Sequence, residues 1–383
     1  MKLGKSKLSV LNKIILAINL LAVIVLLISE AATYICPERF WILAIFGLGY
    51  PIAVAINFLF VSYWLITTRK ILSLISLITI LIGSNILLGF VQYNIKTKFP
   101  ERMHDYKAIK DKEKVKIMSY NVRLFDLYNW WHNLETRGKM FNLITDESPD
   151  IACFQEFFHS DRGAFQNLDT LVEFMNAKNY HVEYTINLRK SDHWGMATFS
   201  KYPIVNKGKL EFGGKYSNNS CIYSDIKIND DTIRVYNIHL QSINFMKKDY
   251  SFMDSLIDKD QDAQIEGSKR ILWLLKKAYI KRAKQTDMVA EHISHSPYPV
   301  IVCGDFNDPP SSYAYHILSH NLKDAFRETG RGFGQTFIGG SVPSFRIDYI
   351  LHDKKFKAYQ FTTIHKPYSD HYPITCLLDL HPE

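Results

Sequence analysis

The chain has 383 residues, 47% of them hydrophobic and 14% aromatic, with 46 Lys and Arg against 38 Asp and Glu for a formal net charge of +8. That excess of base is modest for the length: it is compatible with a phosphorylated or polyanionic substrate without demanding nucleic acid, and part of it flanks apolar runs where it sets membrane topology. The five cysteines form no disulfide framework, and the sequence shows no internal repeat and no low-complexity tract.

The first third is apolar in blocks. Ile14 to Ile28, Phe40 to Ile66 and Ile71 to Val91 are each read as a helix that crosses the roughly 30 Å of hydrocarbon at about 1.5 Å per residue, the first with help from the residues that flank it. Lys2, Lys5, Lys7 and Lys13 ahead of the first block also suit a cleaved signal peptide. Two further apolar blocks favour three retained transmembrane helices within residues 1–92. The N-terminal lysines and Thr67-Thr68-Arg69-Lys70 would then face the cytoplasm, and the Glu30 to Arg39 loop the outside. Three crossings put the rest of the chain outside the cytoplasm, against the pull of Lys96, Lys98 and Arg102. The expectation is a multi-pass protein of the cell (inner) membrane whose globular part is extracytoplasmic. Residues 93–113, polar, lysine-rich and interrupted by Pro100, read as a linker.

From Lys114 onward β-type runs alternate with helical segments, which over some 270 residues implies one α/β domain. Predicted helices include Thr136 to Thr145 and Ser268 to Ile293, the second with Ile271, Leu274, Leu275, Ala278 and Ile280 at helical spacing. The β-runs share one habit: each delivers a polar residue at or near its end. In order, these are Asn121 after Val115-Lys116-Ile117-Met118, Glu156 after Ile151-Ala152-Cys153-Phe154, and His239 after Val235-Tyr236-Asn237-Ile238. Asp305 and Asn307 follow in Gly304-Asp305-Phe306-Asn307-Asp308, then Asp348 in Phe345-Arg346-Ile347-Asp348-Tyr349-Ile350, and finally Asp370-His371. Strand ends converge on one sheet edge, so such a set can gather around a single crevice. Taken singly, His239 suits a satisfied core histidine, Gly-Asp-Phe-Asn a turn, and Asp348 a cap on an ordinary strand. Taken together they read as a hydrolytic phosphoesterase site. A histidine that shares a proton needs a carboxylate to fix its tautomer, and Asp and Asn two residues apart can aim at one water or one phosphate.

As an ordered set, these blocks resemble the endonuclease/exonuclease/phosphatase superfamily, whose DNase I-like relatives include secreted DNases, abasic-site endonucleases, sphingomyelinases and inositol phosphatases. The resemblance covers about Lys114 to Leu380, and Gly195 to Ile204 is similar to the family's strand and turn between the Glu and first His blocks. It implies an α/β fold, a two-layer β-sandwich flanked by helices, as a catalytic domain over residues 114–383. It also implies metal-dependent hydrolysis of phosphoric esters. Glu156 would be the principal ligand of a divalent cation, with Asn121 alongside and Asp370 approaching it. Hard oxygen ligands suit Mg²⁺, or Mn²⁺ as a substitute, better than zinc. Asp305 and Asn307 would orient the attacking water and hold the scissile phosphate, His239 and Asn121 would contact the phosphate, and His371 would act as base or donor with Asp348 as its partner. Whether Asp305 or His371 is the base stays open.

So does the substrate, a phosphodiester or phosphomonoester of nucleic acid or phospholipid-headgroup type. Membrane tethering adds weight to a lipid or envelope substrate, with an external nuclease as the alternative. An inactive binding module is disfavoured because the metal and base positions are filled, and no protein partner is inferred. Among the remaining features, Tyr128 to His132 suits core packing better than stacking on substrate, and Asn244 to Asp262 reads as a lid. Gly332-Phe333-Gly334 and Gly339-Gly340 read as flexible loop, lacking the strand-to-helix context of a phosphate cradle. Cys153 and Cys303 fall in core strands and Cys36 beside the membrane, so reduced thiols are expected.

Overall fold

A computed structural model describes residues 8–67, 69–94, 114–188, 191–213, 219–254, 261–338 and 344–382. Lys2, Lys5, Lys7, the linker beyond Asn94 and the pair Gly339-Gly340 lie outside the described residues.

The N-terminal part is helical: α1 (Val10–Ala31), α2 (Pro37–Phe40), α3 (Ile42–Leu48), α4 (Tyr50–Ile66), α5 (Ser73–Ile82) and α6 (Ser84–Leu87). The Ser9 hydroxyl caps α1, accepting from the Asn12 N–H at 3.2 Å. Leu26, Ala53, Val54 and Ile80 from α1, α4 and α5 meet in a small core. Within it Asn19 Nδ2 donates to Ser76 Oγ at 2.6 Å, Ser76 Oγ to Asn57 Oδ1 at 2.8 Å, and Trp64 Nε1 to Asn19 Oδ1 at 2.8 Å. In an apolar bundle such bonds fix how the helices seat against one another, because an amide left unpaired there is costly.

The expectation of three spans is corrected here. Among the described residues only α1, with 22 residues, is a single helix both long and apolar enough to cross a membrane. The second apolar block breaks at Gly49, where α3 and α4 meet at 60°, and makes one span only if the bent pair crosses together. The third holds the 10-residue α5, about 15 Å of helix, stopped at Gly83. Unbroken apolarity measured on the sequence does not guarantee unbroken helix: Gly49 interrupts one block, with Pro51 in the first turn of the helix that restarts, and Gly83 interrupts the other.

The chain then passes through β1 (Val91–Tyr93) into the globular part. Its elements are β2 (Lys114–Asn121), α7 (Thr136–Glu147), β3 (Ile151–Ser160), α8 (Asn167–Phe174), β4 (Asn179–Leu188), β5 (Asp192–Ser200), β6 (Ile204–Leu210), β7 (Ser220–Ile228) and β8 (Asp231–His239). They continue with α9 (Lys247–Asp254), α10 (Gln261–Ser294), β9 (Val300–Asp305), α11 (Tyr313–Ser319), β10 (Leu322–Asp324), α12 (Ala325–Thr329), β11 (Arg331–Phe333), β12 (Asp348–Asp353), β13 (Lys357–Thr363) and β14 (Ile374–Asp379). Two six-stranded sheets form, in the orders β10-β12-β9-β8-β7-β6 and β13-β14-β2-β3-β5-β4. Each is antiparallel except for one central parallel pair, β8–β9 in the first and β2–β3 in the second. Branched and sulfur side chains such as Val115, Ile117, Ile151, Cys153, Val235, Ile301, Cys303 and Ile350 fill the space between the sheets. The outer face of the second sheet packs Met140, Phe141 and Ile144 of α7, and that of the first packs Val289 of α10 with Ala314 and Leu318 of α11. The DNase I-like two-sheet α/β architecture implied by the sequence is therefore present. All five cysteines are free thiols, four of them buried.

Among the places where the helical unit is fastened to the globular part, two involve the backbone of both. Ser311 Oγ donates to the Gly47 carbonyl at 2.7 Å, and Thr33 Oγ1 donates to the Ser311 carbonyl at 3.3 Å. Gly47 has no alternative here, since a Cβ would lie 2.9 Å from the Ser311 carbonyl oxygen. At the second place β1 pairs antiparallel with β11, Gln92 opposite Gly332. The Gly332-Phe333 loop expectation is thus replaced by a strand, and Tyr93 belongs to the pairing instead of opening a free linker.

Candidate active site

Strand register assembles the site. On the first sheet His239, Asp305 and Asp348 lie side by side across β8, β9 and β12, because His239 pairs with Asp305 and Asp305 with Asp348. On the second, Asn121 ends β2 opposite Gln155 of β3. Glu156 follows at a bulge between Phe154 and Phe157 with φ +49°, an irregularity that turns its carboxylate to the same edge. Beneath this edge the sheets are tied by buried amides: Gln155 Nε2 donates to Asn237 Oδ1 at 2.7 Å, and Asn237 Nδ2 donates to the Ala197 carbonyl at 2.9 Å. Gly304 precedes Asp305 with φ +143°, and a Cβ there would stand 2.0 Å from the Ile238 carbonyl, so only glycine lets β9 lie this close to β8 at the site.

Asn121 joins the two halves. Its Nδ2 lies 3.1 Å from Asp305 Oδ2 and 3.3 Å from Glu156 Oε1, donating to both. Asp305 Oδ1 accepts from the Asn307 N–H at 2.8 Å, while Asn307, with φ +55°, donates its Nδ2 to the Leu240 carbonyl at 2.9 Å. His239 Nε2 stands 3.7 Å from Asp305 Oδ2 and 3.8 Å from Glu156 Oε1. His371 Nδ1 is 2.8 Å from Asp348 Oδ2, which leaves Nε2 turned toward Asp305 Oδ2 at 3.6 Å. Ser369 anchors this histidine to β2, accepting from the His371 N–H at 3.3 Å and donating to the Asn121 carbonyl at 2.8 Å.

Burial governs the protonation. It pushes the Glu156 carboxyl above its ordinary value, opposed by His239 and reinforced by Asp370. Asp305 is raised for the same reason, opposed chiefly by His371. Burial alone would depress His371, but Asp348 and then Asp305 outweigh it and hold the imidazole well above its ordinary range. The arrangement therefore keeps a charged imidazolium beside a carboxylate that binds a proton more readily than usual.

Sequence reasoning missed several members. Arg123 to Asp126 form a turn in which every φ lies between +40° and +57°, a left-handed geometry costing on the order of 1 kcal/mol per residue. Buried Phe125, stacked on Phe141 with centroids 5.2 Å apart, holds it. The turn presents Arg123, whose Nε meets Asp370 Oδ2 at 3.2 Å and whose guanidinium covers the Trp130 ring at 4.4 Å. Trp130 is accordingly a site-border residue, and neighbouring Tyr128 is 63% exposed, which replaces the core-packing expectation for this stretch. Asp370 is spent mainly on Arg123 and Ser369. Thr336 Oγ1 accepts from the Asp348 N–H at 3.1 Å and Phe337 makes an isolated bridge to His371, so the backbone behind Asp348 comes from an irregular segment with no sequence signal. In the expected lid, α9 is held by Asp249 Oδ1 accepting from Arg270 Nε at 2.6 Å; residues 255–260 lie outside the described residues.

At this edge, among the described residues, two groupings could hold a divalent cation. Glu156 and Asp305 turn carboxylate oxygens to the Asn121 amide, which meets them with Nδ2 while its Oδ1 accepts from the Arg123 N–H at 3.1 Å, so Asn121 would ligate a cation between the two carboxylates only with its amide turned over; the burial that raises both carboxyl pKa values is a cost that a dication would relieve. Asp305, Asp348 and His371 also bring ligand atoms within 4.8 Å of one another. There, however, Asp348 is already committed to His371, so a cation would have to break the 2.8 Å bond that orients the ring.

Residues 118–371 match the model of the Endonuclease/Exonuclease/phosphatase family, and residues 12–90 match a domain of unknown function, DUF8431. No curated protein matches the chain. Among solved structures, the endonuclease/exonuclease/phosphatase from Beutenbergia cavernae DSM 12333 superposes with a TM-score of 0.51 at 15% identity, over 70% of this chain and 72% of that one. A mannosyl-6-phosphatase of Bacteroides thetaiotaomicron VPI-5482 aligns at 17% identity over 69% of this chain and 99% of its own, with a TM-score of 0.48. At such identities the likeness is one of fold.

Proposed function

This chain belongs to the endonuclease/exonuclease/phosphatase family, and we propose that it is a membrane-attached, Mg²⁺-dependent hydrolase of phosphoric esters. The observation that carries the reading is the Asn121 amide placed between Glu156 and Asp305, with the His371–Asp348 pair directed at the same Asp305 oxygen. Glu156 and Asn121 would hold the cation, which when bound supplies charge neutralisation to a phosphate oxygen. Asp305, raised by burial and steadied by the Asn307 N–H, accepts the proton of the attacking water. His371, kept charged and in one tautomer by Asp348, donates from Nε2 to the phosphate oxygens as charge builds on them. His239, buried beside both carboxylates, adds a second donor on the phosphate side, and Asn307 fixes the turn that aims Asp305.

The exposed apolar surface of the helical unit, including Val10, Leu21, Leu59 and Ile71, supports insertion of that unit in a bilayer with α1 as a span. Because the same unit grips Ser311, four residues beyond Asn307, a substrate at the membrane, a phospholipid-type phosphodiester or phosphomonoester, is the favoured class. An external nuclease is the second reading, favoured by the Arg123–Trp130 pair at the border of the site, where a base could stack. The test is turnover by the purified full chain with Mg²⁺, Mn²⁺ or chelator against DNA, RNA, a phosphodiester lipid and a bis-aryl phosphate. Glu156→Gln is expected to abolish most turnover while the protein stays folded; a folded variant with full Mg²⁺-dependent activity would remove Glu156 from the site.

A further inference from the structure

α10 carries a face that neither its own fold nor the catalytic site uses. Its inner side buries Leu274, Leu275, Ala278, Tyr279 and Val289. Its outer side, at helical spacing, exposes Ile265 (43%), Leu272 (43%) and Trp273 (54%), interleaved with exposed Lys269, Lys276 and Lys277. Between Ile265 and Thr286 the helix holds seven basic residues and one acid, Glu266. A helix that merely needed solubility would not keep a half-exposed tryptophan and leucine among those lysines.

The face also continues into the helical unit. Lys276 Nζ lies 5.6 Å over the ring of Trp41, and Lys284 Nζ reaches Glu38 at 3.6 Å. Beside Trp41, Phe40 is 50% and Ile42 40% exposed, so the apolar surface that opens α3 runs on to α10. Apolar rings at the level of the headgroups, with lysine stems reaching past them to charge, are the composition of a helix lying in a membrane interface.

We propose that the outer face of α10 lies on the bilayer surface and is held there by anionic phospholipid headgroups, with Leu272 and Trp273 set among the upper acyl carbons. This rests on the reading that the helical unit is membrane-embedded. It would lay the globular part along the membrane surface, with α9, which α10 braces through Arg270 and Asp249, over the phospholipid headgroups.

The full chain carrying Leu272→Cys and Cys36→Ser, the remaining cysteines being buried, is labelled with an environment-sensitive dye and reconstituted in phosphatidylcholine vesicles with or without phosphatidylglycerol. Parallel samples carry the label at Leu21 of α1 and at Val205 of β6, which is 56% exposed. Lipids brominated near the headgroup should quench the Leu272 label about twofold in the anionic vesicles and less in the neutral ones, while Val205 stays unquenched. Lys269→Glu with Lys277→Glu should erase the difference between the two lipids. A Leu21 label quenched by deep bromines beside a Leu272 label as bright as Val205 overturns the proposal and leaves membrane insertion standing. Leu21 unquenched overturns insertion itself. Shielding of Leu272 by an added DNA oligonucleotide instead of by lipid would make α10 a nucleic-acid face and overturn the proposal as well.

Discussion

At the scale of single residues, the site separates into groups that act together and groups that hold others in place. In the proposed mechanism Asp348 acts only through His371, 2.8 Å away. Asp348→Asn should lower the rate about 10²-fold or more, in line with general acid–base contributions, and His371→Ala at least as much. Since they work as one unit, the double variant should be scarcely slower than His371→Ala; losses that multiply would mean the pair acts independently. Asn237 is a different case, tying the sheets together from beneath. Asn237→Ala leaves the buried Gln155 amide without its 2.7 Å partner and should cost about 1–3 kcal/mol, read as a lowered thermal midpoint with KM unchanged in the surviving fold. The residues that meet at this edge were legible in the sequence because phosphoester chemistry, as proposed here, restricts them to few residue types placed at strand ends. Arg123 and Thr336 were not, because their place comes from a left-handed turn and from an irregular segment arriving from elsewhere.

At the scale of elements, the decisive contact is between α3 and the turn after β9. Gly47→Val would drive a methyl into the Ser311 carbonyl, from which even a Cβ stands only 2.9 Å, and shift the Asp305 to Ser311 segment. Displacements near 1 Å at a reacting group cost up to about 10²-fold, so kcat of the full chain should fall by roughly tenfold to a hundredfold. An unchanged kcat in a folded Gly47→Val protein would show that the helical unit only tethers. The helices near Thr136 and Ser268 were foreseeable from periodicity, running in fact as Thr136–Glu147 and Gln261–Ser294. The β1–β11 pairing was not, since a three-residue strand has too short a pattern to announce itself.

For the whole molecule, the open quantity is the number of crossings. With the N-terminus in the cytoplasm, α1 alone puts the globular part outside, and α1 with a crossing α3–α4 pair returns it inside. The basic N-terminus and a single span lead us to expect that a reporter active only in the cytoplasm, fused after Glu383, stays silent. Bright signal would mean that the bent pair crosses with α1.

The order and identity of the polar strand ends, and the hydrolytic chemistry they support, were determined by the sequence itself, because strand alternation and ligand chemistry are local properties written in a few residues each. The register that sets His239, Asp305 and Asp348 in one row, the bulge that turns Glu156, and the interruption of two apolar blocks were decided only in the tertiary structure. These depend on which strand lies beside which and on where a glycine allows one backbone to approach another, and such long-range contacts leave no periodic mark along the chain.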